Sequence, residues 1–123
     1  MRSTLASLIL AATMSVVGTA MAECVYPEAP DAIPDGNTAS QDEMVAAMKS
    51  LKDYDAAVNA YLSCLEMETQ ARIEEGGDDL TEDQVNQIRA IQVKKHNAAV
   101  EALETRATQF NEQVRAFKAK QKS

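Results

Sequence analysis

The chain has 123 residues, of which 19 are acidic and 12 are lysine or arginine, so its formal net charge is −7. This acidic balance argues against binding of nucleic acid or anionic lipid through bulk charge, because such binding releases counterions onto basic surfaces. The length fits a single domain, and the composition beyond Ser40, rich in Ala, Glu, Gln and Lys, favours helix.

Residues 1–22 are typical of a secretory signal peptide. Arg2 provides a positive start, a short apolar run follows, and the small residues of Ala-Met-Ala at 20–22 form a cleavage site. The apolar run is short for a transmembrane anchor, which needs about 20 apolar residues. Glu23 stands where a bacterial lipoprotein signal has a small residue. The sequence therefore predicts a periplasmic or secreted chain that begins at Glu23, carries no lipid on Cys24 and has no membrane span after cleavage.

Residues 23–39 contain one cysteine and all three prolines of the chain, which are Pro27, Pro30 and Pro34. Proline favours extended backbone and has no N–H to donate, so the segment is predicted to be an extended strap. In an exported chain Cys24 and Cys64 are expected to form a disulfide, with intermolecular pairing or free thiols as the alternatives. No Cys-x-x-Cys motif is present, which argues against a redox motif, a zinc knuckle or haem attachment.

The spacing of apolar residues after Ser40 predicts a long amphipathic helix over about residues 40–75. Ser40 and Glu43 have the pattern of an N-terminal capping box, and the same pattern occurs two residues earlier. Two glycines are expected to end the helix. The steps of three and four that define its apolar face run through Met44, Ala47, Met48, Leu51, Tyr54, Val58, Tyr61, Leu62 and Leu65.

A second helix is predicted over about residues 81–120, with Thr81 and Gln84 as its capping box and Leu80 placed to pack on Val85. Its apolar face contains Val85, Ile88, Ile91, Ala99, Leu103, Ala107, Phe110, Val114 and Phe117. A short turn between two long amphipathic helices predicts an antiparallel hairpin.

The predicted fold is all-α, a coiled-coil-like antiparallel two-helix hairpin with an extended N-terminal strap tethered by a disulfide. Cys64 lies 24 residues beyond Ser40, or about 36 Å along the helix axis. The segment from Cys24 to Ser40 reaches at most about 55 Å. A Cys24–Cys64 bond therefore requires the strap to run back along the hairpin. Its apolar contacts are expected from Ala29, Ala32 and Ile33.

The pattern C..P..P..IPDG..AS..EM..A, from Cys24 to Ala47, continues as Y......YL.CL over residues 54–65. This pattern resembles a group of uncharacterised small secreted proteins of proteobacteria. The resemblance covers somewhat under half of the chain after residue 22. It implies no activity and supplies no site residues.

The stretch LTEDQ at residues 80–84 resembles the L-T-x-x-Q motif of the Spy/CpxP-type periplasmic chaperones and stress proteins. Leu80, Thr81 and Gln84 match that motif. A helix cap with a hydrophobic staple requires the same residue types, so a purely local role is the alternative.

The turn between the helices is strongly acidic and is a candidate interaction tip. Acids at the C-terminal end of the first helix oppose its dipole, which suggests binding of a divalent cation or a basic partner. The stretch lacks the ligand spacing of an EF-hand loop, and a solvated acidic turn is the alternative. The six acids of the tip are Glu74, Glu75, Asp78, Asp79, Glu82 and Asp83.

No set of residues groups a nucleophile with a base and an orienting group, so no catalytic residue is predicted. His96 has no partner at metal-ligand spacing, and Met44 and Met48 fit the apolar face better than a copper site. A narrow hairpin also offers no deep substrate pocket. No cofactor and no metal site is expected.

These observations favour a secreted or periplasmic, non-enzymatic binding or structural module whose protein partner the sequence does not identify. The alternative is a Spy/CpxP-like periplasmic chaperone or envelope-stress protein. A homodimeric four-helix bundle is a further possibility, because apolar residues fall partly off the main stripe at Ile73, Ile91, Val93 and Val100.

Overall fold

A computed structural model describes residues 23–123, and the signal peptide predicted for residues 1–22 lies outside the described residues. Helix α1 spans Gln41–Gly76 and helix α2 spans Glu82–Lys122, with a single 3₁₀ turn at Gly77–Asp79 between them. The described residues contain no strand. The predicted two-helix hairpin is confirmed, with helix boundaries that agree to within two residues.

Helix α1 begins at the capping box predicted for Ser40. The Ser40 hydroxyl accepts a hydrogen bond from the Glu43 N–H at 3.2 Å, and the Glu43 carboxylate accepts one from the Ser40 N–H at 2.7 Å. The alternative start two residues earlier is not used. There, the N–H groups of Thr38 and Ala39 donate to the Asp35 carbonyl at 3.1 and 2.8 Å and form a tight turn.

The hairpin turn is built from two glycines and the second capping box. Gly77 has φ +48°, a backbone conformation that side chains disfavour. A Cβ on Gly76 would lie 2.4 Å from the Leu80 side chain, so Leu80 lies directly over that glycine. Helix α2 then starts with reciprocal bonds of 3.2 and 2.9 Å between Thr81 and Gln84.

The core consists of two adjacent hydrophobic clusters that both contact Leu51. The first contains buried Tyr54, Val58, Tyr61, Leu65 and Ala99, with Cys24, Ala29, Leu62 and Leu103 packed against them. The second contains buried Ala39, Met44 and Phe110, with Ile33, Ala47, Val114 and Phe117 packed against them. Each cluster combines residues of both helices with residues of the strap, so the strap completes the core.

Burial along the strap repeats every third residue. The positions that are buried or half-buried at this spacing are Cys24, Pro27, Pro30, Ile33, Gly36 and Ala39. Three residues per turn is the period of polyproline II, which three prolines favour. The expectation for Ala32 is wrong, because its side chain is exposed. Ala29 and Ile33 do contact the core as expected.

Burial is also uneven along the hairpin. We call residues 66–98 the distal half and the remaining described residues the strapped half. Every buried residue of the described chain lies in the strapped half, and none lies between residues 66 and 98. Two helices without a third element cover little surface, and the strap reaches only as far as the level of Cys64.

Across residues 23–123, neither helix contains a segment long and apolar enough to cross a membrane.

Candidate interaction surfaces

The disulfide fixes the start of the strap to the middle of α1. Cys24 and Cys64 are bonded with a Cα–Cα distance of 5.7 Å, and the described residues include no free cysteine. The predicted intramolecular pairing is therefore confirmed. Beside the bond, the Tyr26 ring meets the Tyr61 ring edge to face, with centroids 5.3 Å apart.

The opposite end of the strap is bound to α2 through backbone contacts. The Gly36 N–H donates to the Gln113 side-chain oxygen at 2.9 Å. A Cβ at Gly36 would lie 2.0 Å from the Gln113 carbonyl oxygen, so only glycine permits this close approach. The Lys120 ammonium donates to the Ala39 carbonyl at 3.0 Å and lies 5.1 Å from the centre of the Phe117 ring. No local sequence pattern indicates any of these contacts.

A shallow groove runs between the strap and α2. Tyr26, Pro27, Tyr54, Ala102 and Arg106 are among its lining residues. Burial raises the pKa of the Tyr54 phenol, the neighbouring Tyr26 raises it further, and the Arg106 charge opposes the rise. Burial and Tyr26 raise the pKa of Tyr61 in the same way, with Glu68 adding to the effect.

All six acids of the candidate tip are exposed. Glu74 accepts a hydrogen bond from the Gln70 amide at 3.0 Å, one turn earlier on α1. Within residues 23–123, no three His, Cys, Asp or Glu side chains converge as a metal site would require. An interaction at the tip stays a prediction.

The distal half has a groove with both polar and apolar lining residues, and it has exposed apolar side chains. The groove lies between the helices and contains Glu66, Thr69, Ile73, Arg89, Gln92 and Val93 among its lining residues. The exposed fractions of the large apolar side chains are 70% for Met67, 50% for Ile91 and 56% for Val93. Ile91 was placed in the apolar series of α2 and also among the residues that fall partly off the main stripe, and its exposure agrees with the second placement.

His96, Met44 and Met48 lie in different surroundings. His96 is half-buried, and its Nδ1 lies 3.4 Å from the Asn97 side-chain oxygen. Met44 is buried in the second cluster as expected, whereas Met48 is 46% exposed. Placement of Met48 in the core is therefore wrong, because two helices bury only a narrow stripe of each other.

The three residues of the LTEDQ stretch that match the L-T-x-x-Q motif have local structural roles. Leu80 covers Gly76, while Thr81 and Gln84 cap α2. The local alternative thus accounts for each residue that carries the resemblance to the Spy/CpxP-type proteins.

Comparison with protein-family models, with curated proteins and with solved structures finds no match to this chain.

Proposed function

We propose that this protein is an exported, non-enzymatic binding module that presents the distal half of its hairpin to a protein partner. The observation that carries the proposal is the uneven burial. The strapped half contains every buried residue of the described chain, whereas the distal half has none, and its Met67, Ile91 and Val93 are exposed. Large apolar side chains are also exposed in the strapped half, at Val25, Tyr26, Val45 and Met48, but there they surround a buried core. Apolar surface that no other element of the fold covers is available to a partner.

The chemistry of the distal half suits a protein partner. Met67, Ile91 and Val93 lie among charged and polar groups such as Arg89 and Glu66. Methionine and arginine are enriched at protein interfaces, where apolar centres are surrounded by polar rims. Ile91 and Val93 are two residues apart on α2, about 200° around the helix axis, so a partner has apolar contacts on both sides of the hairpin.

The strapped half suits a supporting role. A disulfide, two hydrophobic clusters and the hydrogen bonds from Gln113 and Lys120 hold it together. Because the strapped half is already ordered, the chain loses less conformational entropy when the distal half binds a partner.

A non-enzymatic role is supported by the character of the surfaces. Among residues 23–123 the only buried side chains with a hydrogen-bonding group are Tyr54 and Tyr61, which belong to the apolar core, and the grooves are open to solvent. Catalysis depends on polar groups that are held in a site from which water is excluded.

Site-specific photo-crosslinking tests the proposal. A photoreactive phenylalanine analogue is placed at Met67 or Ile91 in the distal half, with matched exposed positions Val45 and Met48 in the strapped half as controls. In the cell envelope of its host, we expect a discrete adduct of one partner from the distal positions only. Equal adducts from all four positions, or none, would argue against a distal binding surface. Adducts with many different proteins would favour the Spy/CpxP-like chaperone.

Export is part of the same proposal. A disulfide between the two cysteines is typical of proteins in oxidising compartments, and residues 1–22 have the order of regions found in a signal peptide. We expect the mature protein to begin at Glu23. An intact mass that includes residues 1–22, or a lipid adduct on the chain, would contradict it.

A further inference from the structure

The strap lies against the two helices as a bound peptide would. Every third residue from Cys24 to Ile33 is buried or half-buried, and the residues between them are exposed except for half-buried Ala29. Domains that recognise proline-rich peptides exploit this period, because a polyproline II segment loses little entropy on binding. The structure thus shows a proline-containing extended segment of the chain itself packed against α1 and α2.

The two ends of the strap are held by different forces. Residues 35–39 form a turn and are bound to α2 by the hydrogen bonds of Gly36 and Ala39. Within residues 23–34, by contrast, no hydrogen bond holds the chain to the helices. Only the disulfide and apolar packing fix this part, with Pro27 buried and the Tyr26 ring against Tyr61.

The surface under residues 24–34 is aromatic and apolar. Tyr54 and Tyr61 are 3% and 7% exposed while the strap is in place, and Ala29 packs against the same cluster. Ala57 and Ala102 line the grooves on the two sides of the strap. Small residues that flank tyrosine rings form a shallow channel, which suits the narrow cross-section of a proline-containing segment.

We propose that this channel is a binding site for an extended, proline-containing segment of another protein, closed by the Cys24–Cys64 bond and opened by its reduction. A dithiol reductant supplies two electrons and two protons, so that the S–S bond becomes two thiols and the reductant becomes a disulfide. Residues 24–34 can then leave, while residues 35–39 keep their bonds to α2. The site lies in the strapped half and goes beyond the distal surface described above.

A covalent trap tests the channel directly. The full chain with Cys24→Ser has a single thiol at Cys64, which can form a mixed disulfide with a synthetic peptide of residues 23–34. The matched control peptide exchanges Pro27 with Glu28 and Pro30 with Asp31. This exchange keeps the composition, the charge and a three-residue spacing of prolines, but it moves both prolines from the inward-facing positions 27 and 30 to the exposed positions 28 and 31.

In a glutathione redox buffer, intact-mass measurement gives the fraction of chain that carries each peptide. We expect the equilibrium constant for the native peptide to exceed that of the exchanged peptide at least tenfold. Two constants within twofold of each other would overturn the proposal. So would loss of helical circular dichroism in the Cys24→Ser chain, because no channel would then exist.

A second measurement tests the closure. A fluorescent peptide of residues 23–34 with Cys24→Ser binds without a covalent bond, and its anisotropy reports the bound fraction. We expect binding to the wild-type chain after dithiol treatment and none to the oxidised chain. Equal binding to both redox states would overturn the role of the disulfide as the closing element.

Discussion

Substitution of Gly36 by alanine should detach the strap from α2. The Cβ added at this position would lie 2.0 Å from the Gln113 carbonyl oxygen and 2.9 Å from the Phe117 nitrogen. Both are backbone atoms of a helix and cannot move aside, so the strap must shift outward. That shift breaks the 2.9 Å hydrogen bond from Gly36 to the Gln113 side chain.

The size of the effect follows from three contributions. Loss of the hydrogen bond costs about 1 kcal/mol, and disturbed packing of the neighbouring cluster costs about 1–3 kcal/mol. Alanine also restricts the unfolded chain, which returns about 0.4–1 kcal/mol. We expect Gly36→Ala to lower the free energy of unfolding by about 2 kcal/mol, which for a domain of this size lowers the midpoint temperature by roughly 8–16 °C.

Thermal and urea unfolding followed by circular dichroism measure this change, with Gly76→Ala as the matched control. Gly76 has helical backbone angles that alanine also adopts, and its added methyl would meet the Leu80 side chain, which can move. The loss in the free energy of unfolding should therefore be smaller than for Gly36→Ala. Gln113→Ala should cost about 1 kcal/mol, and the double variant with Gly36→Ala should cost no more than Gly36→Ala alone. The Gly36–Gln113 contact would be refuted if Gly36→Ala were as stable as the wild type, or if the effects of Gly36→Ala and Gln113→Ala on stability simply added.

Three further outcomes follow from the structure. Cys24→Ser and Cys64→Ser should each lower the free energy of unfolding by roughly 4 kcal/mol, because the disulfide joins residues 40 apart. The double variant should unfold at the same midpoint temperature as either single variant, and additive losses would contradict a shared bond. Burial raises the pKa values of Tyr54 and Tyr61, so the contribution of their neutral phenols to folding stability is complete below about pH 10 and is lost as pH rises through the folded-state values. The midpoint temperature of unfolding should therefore fall in alkali, and it should fall less in Tyr54→Phe. The Ser40 backbone and side-chain hydrogen bonds lower the pKa of Glu43, so the contribution of this carboxylate to folding stability is present above its ordinary pKa and is lost as pH falls through the lowered pKa. Thermal melts in acid should therefore show a weaker pH dependence for Glu43→Gln than for the wild type. An unchanged pH dependence would contradict the capping role of Glu43.

The sequence predicted those features whose partners are near each other in the chain. Each capping box joins residues three apart, so Ser40 with Glu43 and Thr81 with Gln84 could be identified from spacing. The disulfide was predictable for a different reason, because only two cysteines occur and the strap is long enough to join them.

Contacts between distant residues could not be predicted in this way. Gly36 and Gln113 are 77 residues apart, and Lys120 and Ala39 are 81 apart, so their meeting depends on the register of the hairpin and the path of the strap. The inward period of the strap was also missed. Three prolines at intervals of three and four indicate extended structure, but only the packed helices determine which side faces inward.

The exposed positions show a second limit. Apolar spacing marks a stripe on each helix but does not tell how much of the stripe a neighbour covers. Met48 and Ile91 fit the helical period and are nevertheless 46% and 50% exposed. For the same reason, the division into a strapped half and a distal half became visible only from burial.

The central claim is that one exported chain folds as a hairpin whose strap is bonded to its own first helix. Peptide mapping by mass spectrometry, without reduction, on monomer purified from the cell envelope tests it most directly. We predict an N-terminus at Glu23 and a single pair of peptides that joins Cys24 to Cys64. Free thiols in the monomer, or a pair that joins two chains, would contradict the account.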